Sequence, residues 1–344
     1  MANHRLVPPP AISVVITNYN GKEFLRDCLE SVLAQTLRPA EIVMVDNDSA
    51  DGSRELVERE YPQVKLIRMP ENAGFARAAN EGIRRSTGEF IALLNNDAVA
   101  DIHWLEHLVG PLLDDKEIGL CASKMLFLWD KSLINNAGIG LTDYGLPYDR
   151  GLYEPDSEAF ARSRLVFGAC GGAAMLRRAM LERIGLFDED FFLCYDDADL
   201  SFRAQLSGYK CMYVADAVVY HAGGATVPYH GKTARFYSCR HYVQVVVKNM
   251  PTEIIARRLG PILWFCLKNT ARSVIDYRDL VNLRGYLSGL AALGRALSLR
   301  RGIQSRAAVR TDYIRSMMVP KEQMLREIRT RRDAPPAKNR AISL

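Results

Sequence analysis

Phe90-Ile91-Ala92-Leu93-Leu94-Asn95-Asn96-Asp97 runs an apolar stretch straight into two amides and a carboxylate. The apolar part fits a buried strand, and its polar tip has two explanations. Asn and Asp bond to their own backbone and close tight turns. Open α/β sheets also bind ligands at the carboxyl ends of parallel strands. The surrounding sequence has to choose between them.

Upstream, strand and helix patterns alternate. Ile12-Ser13-Val14-Val15-Ile16-Thr17 stops at Asn18-Tyr19-Asn20-Gly21, and Phe24, Leu25, Cys28, Leu29, Val32 and Leu33 then recur at helical spacing. Glu41-Ile42-Val43-Met44-Val45 stops at Asp46-Asn47-Asp48-Ser49-Ala50-Asp51-Gly52-Ser53, followed by a helix through Leu56 and Val57. Val64 to Arg68 reads as a third strand and Ala73 to Arg85 as a third helix. This alternation predicts right-handed βαβ units and an α/β fold with a parallel sheet. After Met125 the pattern loosens. Residues 130–165 read as loops and short strands, Phe167 to Leu176 as a glycine-interrupted strand, and Asp199 to Ser207 as a helix. Lys210 to Val214 reads as a short strand leading to His221, and the chain is helical from Thr226.

The 344 residues are 48% hydrophobic and 25% charged, enough for one large domain or two moderate ones. Seven scattered cysteines without a C-x-x-C pair argue for reduced thiols, against a disulfide framework or zinc site. With no signal-peptide h-region and no apolar run of about 18 residues, the expected location is the cytoplasm. Charge is uneven. Asn249 to Leu344 carries 19 Lys or Arg against 7 Asp or Glu, so in a chain of net +5 the first 248 residues stand at −7.

Four polar clusters ask for a common role. Asp97 beside a second oxygen ligand and an imidazole could seat Mg2+ or Mn2+ on a diphosphate, or it could close a turn. Asp46 and Asp51 have the same capping alternative, and His221 alone fits a hydrogen-bonded histidine. Asp196 and Asp197 stand adjacent among Phe191, Phe192 and Tyr195, where their repulsion should raise the pKa of one carboxyl, an arrangement that suits a general base. Acids also favour a helix N-terminus, and Asp199 can bridge to Arg203 one turn later.

In order and spacing these clusters resemble family 2 glycosyltransferases of the GT-A fold, rhamnosyltransferase-like branch, from about Ile12 to His221. The motifs are Val14-Val15-Ile16-Thr17-Asn18-Tyr19-Asn20, the Val45 to Ser53 run, Asn72-Ala73-Gly74-Phe75-Ala76, Leu94-Asn95-Asn96-Asp97, Gly171-Gly172-Ala173 and Tyr195-Asp196-Asp197. The resemblance implies a Rossmann-like, mostly parallel central sheet with flanking helices and a C-terminal helical region. It places Thr17, Asn18, Asp46, Asn47 and Asn96 at the nucleotide sugar, with Asp46 or Asn47 on the pyrimidine edge. Asn72, Gly74 and Arg77 would flank the ribose and diphosphate. Asp97 is the main metal ligand, with Asn95 and His221 completing a Mg2+ or Mn2+ site in which amides replace the family's acids. Gly171, Gly172 and Asp196 adjoin the donor sugar or acceptor, and Asp197 is the base. The implied partners are a nucleotide diphosphate sugar, dTDP-rhamnose before UDP-sugars, and a glycan or lipid-linked acceptor in cell-surface polysaccharide synthesis. The alternative is a GT-A protein that binds a nucleotide sugar or glycan without turnover. A Rossmann dehydrogenase fails, because Asn18-Tyr19-Asn20-Gly21 replaces G-x-G-x-x-G after the first strand.

The expected organisation is a tail (1–10), a catalytic domain (11–225, nucleotide-binding to 125 and acceptor-binding after it), a basic helical region (226–330) and a disordered tail (331–344). Apolar stripes beside Arg and Lys in Ile254 to Leu293 suit helices lying on the inner face of an anionic membrane, a helical cap packed on the catalytic domain, or a dimer interface. No nucleic-acid motif accompanies the basic charge.

Overall fold

The computed structural model describes residues 10–223 and 231–328. The alternating first part forms β1 (Ile12–Asn18), α1 (Lys22–Leu33), β2 (Glu41–Asp46), α2 (Ser53–Glu60), β3 (Lys65–Arg68), α3 (Phe75–Arg85) and β4 (Phe90–Asn95). These four strands pair in the order β3-β2-β1-β4, all parallel, as the sequence pattern predicts. The chain leaves β1 toward β2 on one side and returns to β4 on the other. That reversal opens a crevice at the carboxyl ends of β1 and β4.

The sheet continues with β5 (Ala98–Ala100), α4 (Trp104–Asp114), β6 (Ile118–Phe127) and β7 (Asp130–Asn136). Next come β8 (Ile139–Thr142), β9 (Pro147–Asp149), β10 (Arg164–Val166), β11 (Ala173–Arg177), α5 (Arg178–Ile184), α6 (Asp196–Leu206) and β12 (Lys210–His221). Beyond β4 the order is β11-β6-β12-β10, with β5 on β12 and β7 on β6, and the directions become mixed. Side chains alternate between two cores. Val14 and Ile16 pack toward α1 and α4, whereas Val15 packs toward α3.

Three boundaries differ from the sequence reading. The Phe167 to Leu176 strand shrinks to β11, because residues 170–172 bend into the crevice. The helix expected at Asp199 starts at Asp196. The short strand at Lys210 extends to His221, since β6 pairs it on both sides of an irregularity at residues 215–217 and β5 pairs its end.

The C-terminal helices are α7 (Lys232–Asn249), α8 (Thr252–Tyr277), α9 (Val281–Ala291), α10 (Leu293–Ser305) and α11 (Thr311–Ser316), followed by β13 (Met318–Val319) and α12 (Lys321–Glu327). Thr226 and the tails at residues 1–9 and 329–344 lie outside the described residues. Helix α7 shares a third core with the preceding half. Its Tyr242, Val245 and Val246 pack with Phe202 and Leu206 of α6, Tyr286 of α9 and Ile314 of α11. Buried Lys248 locks this seam, with Nζ 2.5 Å from Asp188 and 2.7 Å from Asp199. Arg203 holds the other Asp199 oxygen at 3.0 Å, the i,i+4 bridge expected from the sequence. Strand β13 pairs with β8, and Glu327 accepts from Tyr148 Oη at 2.8 Å, so the last described segment closes over the β8–β9 hairpin.

Candidate functional site

The carboxyl ends of β1, β2 and β4 meet through amides. Asn96 donates to Asn18 Oδ1 at 2.7 Å, and Asn18 donates to Asp46 Oδ1 at 3.1 Å and Ser49 Oγ at 3.0 Å. Asp46 is fully buried, and its second oxygen faces Arg54 Nε at 3.2 Å and accepts the Ser49 N–H. Its carboxylate is engaged on both oxygens by the protein, so it shapes the turn after β2. Asn47 donates to Asn72 Oδ1 at 3.0 Å and accepts the Ala73 N–H at 2.9 Å, which fixes the Asn72 to Gly74 loop beside it. Thr17, at the end of β1, is half-buried and adjoins this network. Arg77 is half exposed on α3 and lies 3.9 Å from Glu189. Asp51 does the capping work weighed in the sequence. It accepts the Lys22 N–H at 2.8 Å and the Ser53 N–H at 3.0 Å, tying α1 to α2.

The tip of β4 has a different partner. The β5–β12 ladder sets Ala98 opposite His221, which brings His221 Nε2 to 3.0 Å from Asp97 Oδ1 and 3.2 Å from Asn95 Nδ2. Asn135 Oδ1 lies 2.9 Å from Nδ1 of the same ring. An Nδ1–H donated to Asn135 leaves Nε2 with a lone pair facing the Asp97 carboxylate. Two acceptors 3.0 Å apart need a proton or a cation between them. Imidazole, carboxylate and, with its amide turned, the Asn95 oxygen make a donor set that fits Mg2+ or Mn2+. No group of three His, Cys, Asp or Glu suited to a metal occurs among the described residues. Such an ion would therefore take its remaining ligands from water or from a bound diphosphate.

Asn95 and His221 also line a cleft of about 460 Å³, shared with Phe75, Gly171, Gly172 and the Asp196-Asp197 pair. Asp197 Oδ2 accepts the Gly171 N–H at 3.2 Å, and Oδ1 accepts the Ala198 N–H at 2.7 Å. Burial raises the Asp197 carboxyl above its ordinary range, and burial together with the Asp197 charge raises Asp196 well above it. The pair sits at the start of α6 after Cys194 and Tyr195, two consecutive non-glycine residues in the left-handed region. Such strain needs support. His241 of α7 supplies it, with Nδ1 at 2.9 Å from the Leu193 carbonyl oxygen and 3.0 Å from that of Cys194. Burial pushes this imidazole down to about 4, so it is neutral at pH 7 and donates from Nδ1.

Gly74 and Gly172 owe their identity to close approach. A Cβ on Gly74, at φ +82°, would lie 2.4 Å from the Phe192 carbonyl oxygen. Gly74 thus lets the loop that carries the acidic pair dock on α3. Gly74→Ala is expected to cost about 1–3 kcal/mol in urea unfolding, from strain alone. A Cβ on Gly172 would lie 3.0 Å from Asn95 Nδ2, on the metal-ligand candidate itself.

Residues that the motif reading missed complete the cleft. Asp149, at the end of β9, accepts from Asn136 Nδ2 at 2.7 Å, and burial and the Asp197 charge push it up to about 6. Cys170 and Cys194 also line the cleft and are half-buried, and all seven cysteines are free thiols. One signal could have found part of this. Leu133-Ile134-Asn135-Asn136 repeats the apolar-to-amide step of Leu93-Leu94-Asn95-Asn96. Nothing in the sequence marks Asp149.

Residues 13–185 match the model of Glycosyl transferase family 2. The O-antigen biosynthesis protein RfbC of Myxococcus xanthus is 28% identical over 227 residues, 63% of this chain and 18% of that protein. An uncharacterized glycosyltransferase of Rickettsia typhi is 28% identical over 198 residues, 56% of this chain and 58% of that one. The chain thus spans less than two thirds of the length of either relative. Among solved structures, S. aureus TarS 1-349 in complex with UDP-GlcNAc aligns with a TM-score of 0.55 at 16% identity, covering 90% of this chain and 92% of that one. GalNAc-T7 with UDP, GalNAc and Mn2+ aligns with a TM-score of 0.56 at 18% identity, covering 79% and 59%. These likenesses establish the GT-A fold.

Proposed function

The chain belongs to glycosyl transferase family 2, and on that premise we propose that it transfers a sugar, with inversion, from a nucleotide diphosphate donor to a hydroxyl of a glycan or lipid-linked acceptor. The observation that carries this reading is a half-buried, proton-attracting Asp197 in the same cleft as Asn95 and His221. Asp197 takes the proton of the acceptor hydroxyl. The acceptor oxygen bonds to the anomeric carbon from the face opposite the leaving group, the carbon–phosphate oxygen bond breaks, and the nucleotide diphosphate departs. Asp97, His221 and the Asn95 oxygen would hold Mg2+ or Mn2+, which when bound neutralises the leaving diphosphate as a Lewis acid. Asn18, Asn47, Asn72 and Asn96, with Thr17 and Arg77 beside them, form the donor side; Asp46 and Gly74 act by positioning it. Gly171, Gly172, Asp196 and Asp149 border the sugar.

The donor we favour is dTDP-rhamnose, with UDP-sugars next. Rhamnose rests on the motif resemblance, and the likeness to TarS with UDP-GlcNAc supports the runner-up. The O-antigen relative supports a place in cell-surface polysaccharide synthesis, on the cytoplasmic side where nucleotide sugars are made. A panel of dTDP-, UDP- and GDP-sugars with Mn2+ or Mg2+, read as nucleotide diphosphate release, tests the reading. Release from one donor is expected to vanish with EDTA and to fall by about 10²-fold or more in Asp97→Ala. Release that persists in EDTA would remove the metal from the scheme. No nucleotide binding anywhere on the panel would overturn the assignment of the cleft.

A further inference from the structure

The C-terminal helices turn an apolar face outward. Twelve of the large hydrophobic residues that stand exposed fall between Leu259 and Leu299, a concentration on α8 to α10 that the rest of the described surface does not show. On α8, Leu263, Trp264, Leu267, Val274 and Ile275 share one side, opposite the buried Ile262 and Ser273. Trp264 is 65% exposed and Ile275 is 74% exposed. Leu287 and Leu290 stand exposed on α9, and Leu297 on α10.

The charge around this face is predominantly positive. Residues 252–305 carry nine Lys or Arg against three Asp or Glu. Lys268, Arg278, Arg284 and Arg301 are exposed, and no ion pair engages them among the described residues. No helix among the described residues is long and apolar enough to cross a membrane. An apolar stripe with an outward Trp and a fringe of free cations matches the boundary of an anionic bilayer, where aliphatic side chains enter the acyl region and cations meet the headgroups.

We propose that the outer faces of α8 and α9 dock this protein on an anionic lipid surface. The geometry links the face to the cleft. A Cβ on Gly285 would lie 2.5 Å from the Phe236 carbonyl oxygen, and one on Gly289 would lie 2.6 Å from that of Arg240, so α9 presses directly on α7. Ala234 and Ser238 of α7 line the cleft. The docking face therefore sits one helix layer, roughly 10 Å, beyond the cleft wall.

The test is co-sedimentation of the full chain with phosphatidylcholine vesicles, with and without phosphatidylglycerol, and it needs no sugar donor. It therefore stands or falls apart from the proposed reaction. Binding is expected only with phosphatidylglycerol, weakening as salt rises, with a blue-shifted tryptophan emission that Trp264→Phe removes. The double variant Leu263→Glu/Leu267→Glu changes exposed residues only, and it is expected to bind about tenfold more weakly or worse with an unchanged melting temperature. Lys268→Glu/Arg284→Glu should also weaken binding. Absence of vesicle binding overturns the proposal. A dimer in sedimentation that Leu263→Glu/Leu267→Glu dissociates, without vesicle binding, reassigns the face to self-association.

Discussion

Asp197→Asn is expected to lower turnover by about 10²- to 10⁴-fold while nucleotide binding stays within a factor of two or so, the signature of a lost general base. The amide matches the carboxyl in shape and can still accept the Gly171 or Ala198 N–H, so the start of α6 should hold. Kinetics of nucleotide release beside calorimetric nucleotide titration would check both halves. The same variant separates an enzyme from a protein that only binds nucleotide sugars, since binding survives in both and only an enzyme loses turnover. Unchanged turnover in Asp197→Asn would move the base elsewhere in the cleft, with Asp196 and Asp149 as the remaining carboxyls.

Lys248→Met is expected to destabilise the fold by about 3–5 kcal/mol, because it strands two buried carboxylates on the α6–α7 seam. Arg203 and Arg295 still reach Asp199 and Asp188, which keeps the loss from being larger. Urea unfolding measures it directly. The pH dependence has a definite sign. Burial opposes ionisation of Asp188, but Arg295 and Lys248 outweigh it and hold the carboxyl well below its ordinary range; Lys248 and Arg203 likewise hold Asp199 below its ordinary range. A depressed folded pKa stabilises fully above the unfolded value of about 4, and that stability is lost as pH falls through the folded value. Wild type should therefore lose stability below about pH 4 more steeply than Lys248→Met. His241 lies on the same seam, next to the turn that carries Asp197, so loosening α7 is also expected to cost activity.

Much of this protein was legible in its sequence, and the legible part is local. Runs such as Ile12 to Thr17 and Phe90 to Leu94, each closed by Asn or Asp, specify strand, turn and helix from near neighbours, and alternation then requires parallel crossovers. Asp199 and Arg203 are one helical turn apart, so their bridge was readable too. The strand read at Phe167 to Leu176 was wrong at its start, because the bend at Gly171-Gly172 answers to Asn95 and Phe75, distant in sequence.

The candidate site belongs to that second category. Motif resemblance named Asp97 and His221, but the 3.0 Å between them comes from the β5–β12 pairing, which no local pattern records. Asp149 carries no motif, yet burial beside Asp197 makes it a titratable wall of the cleft. His241 lies in a helix with no apolar stripe to mark its face, and it supports a turn nearly fifty residues upstream. Periodicity and turn chemistry are properties of adjacent residues and survive in the linear string. Desolvation, convergence of charges and support of strained backbone exist only once distant segments pack, so the sequence by itself determined the scaffold and the tips of its strands, while the tertiary structure decided which of those tips meet.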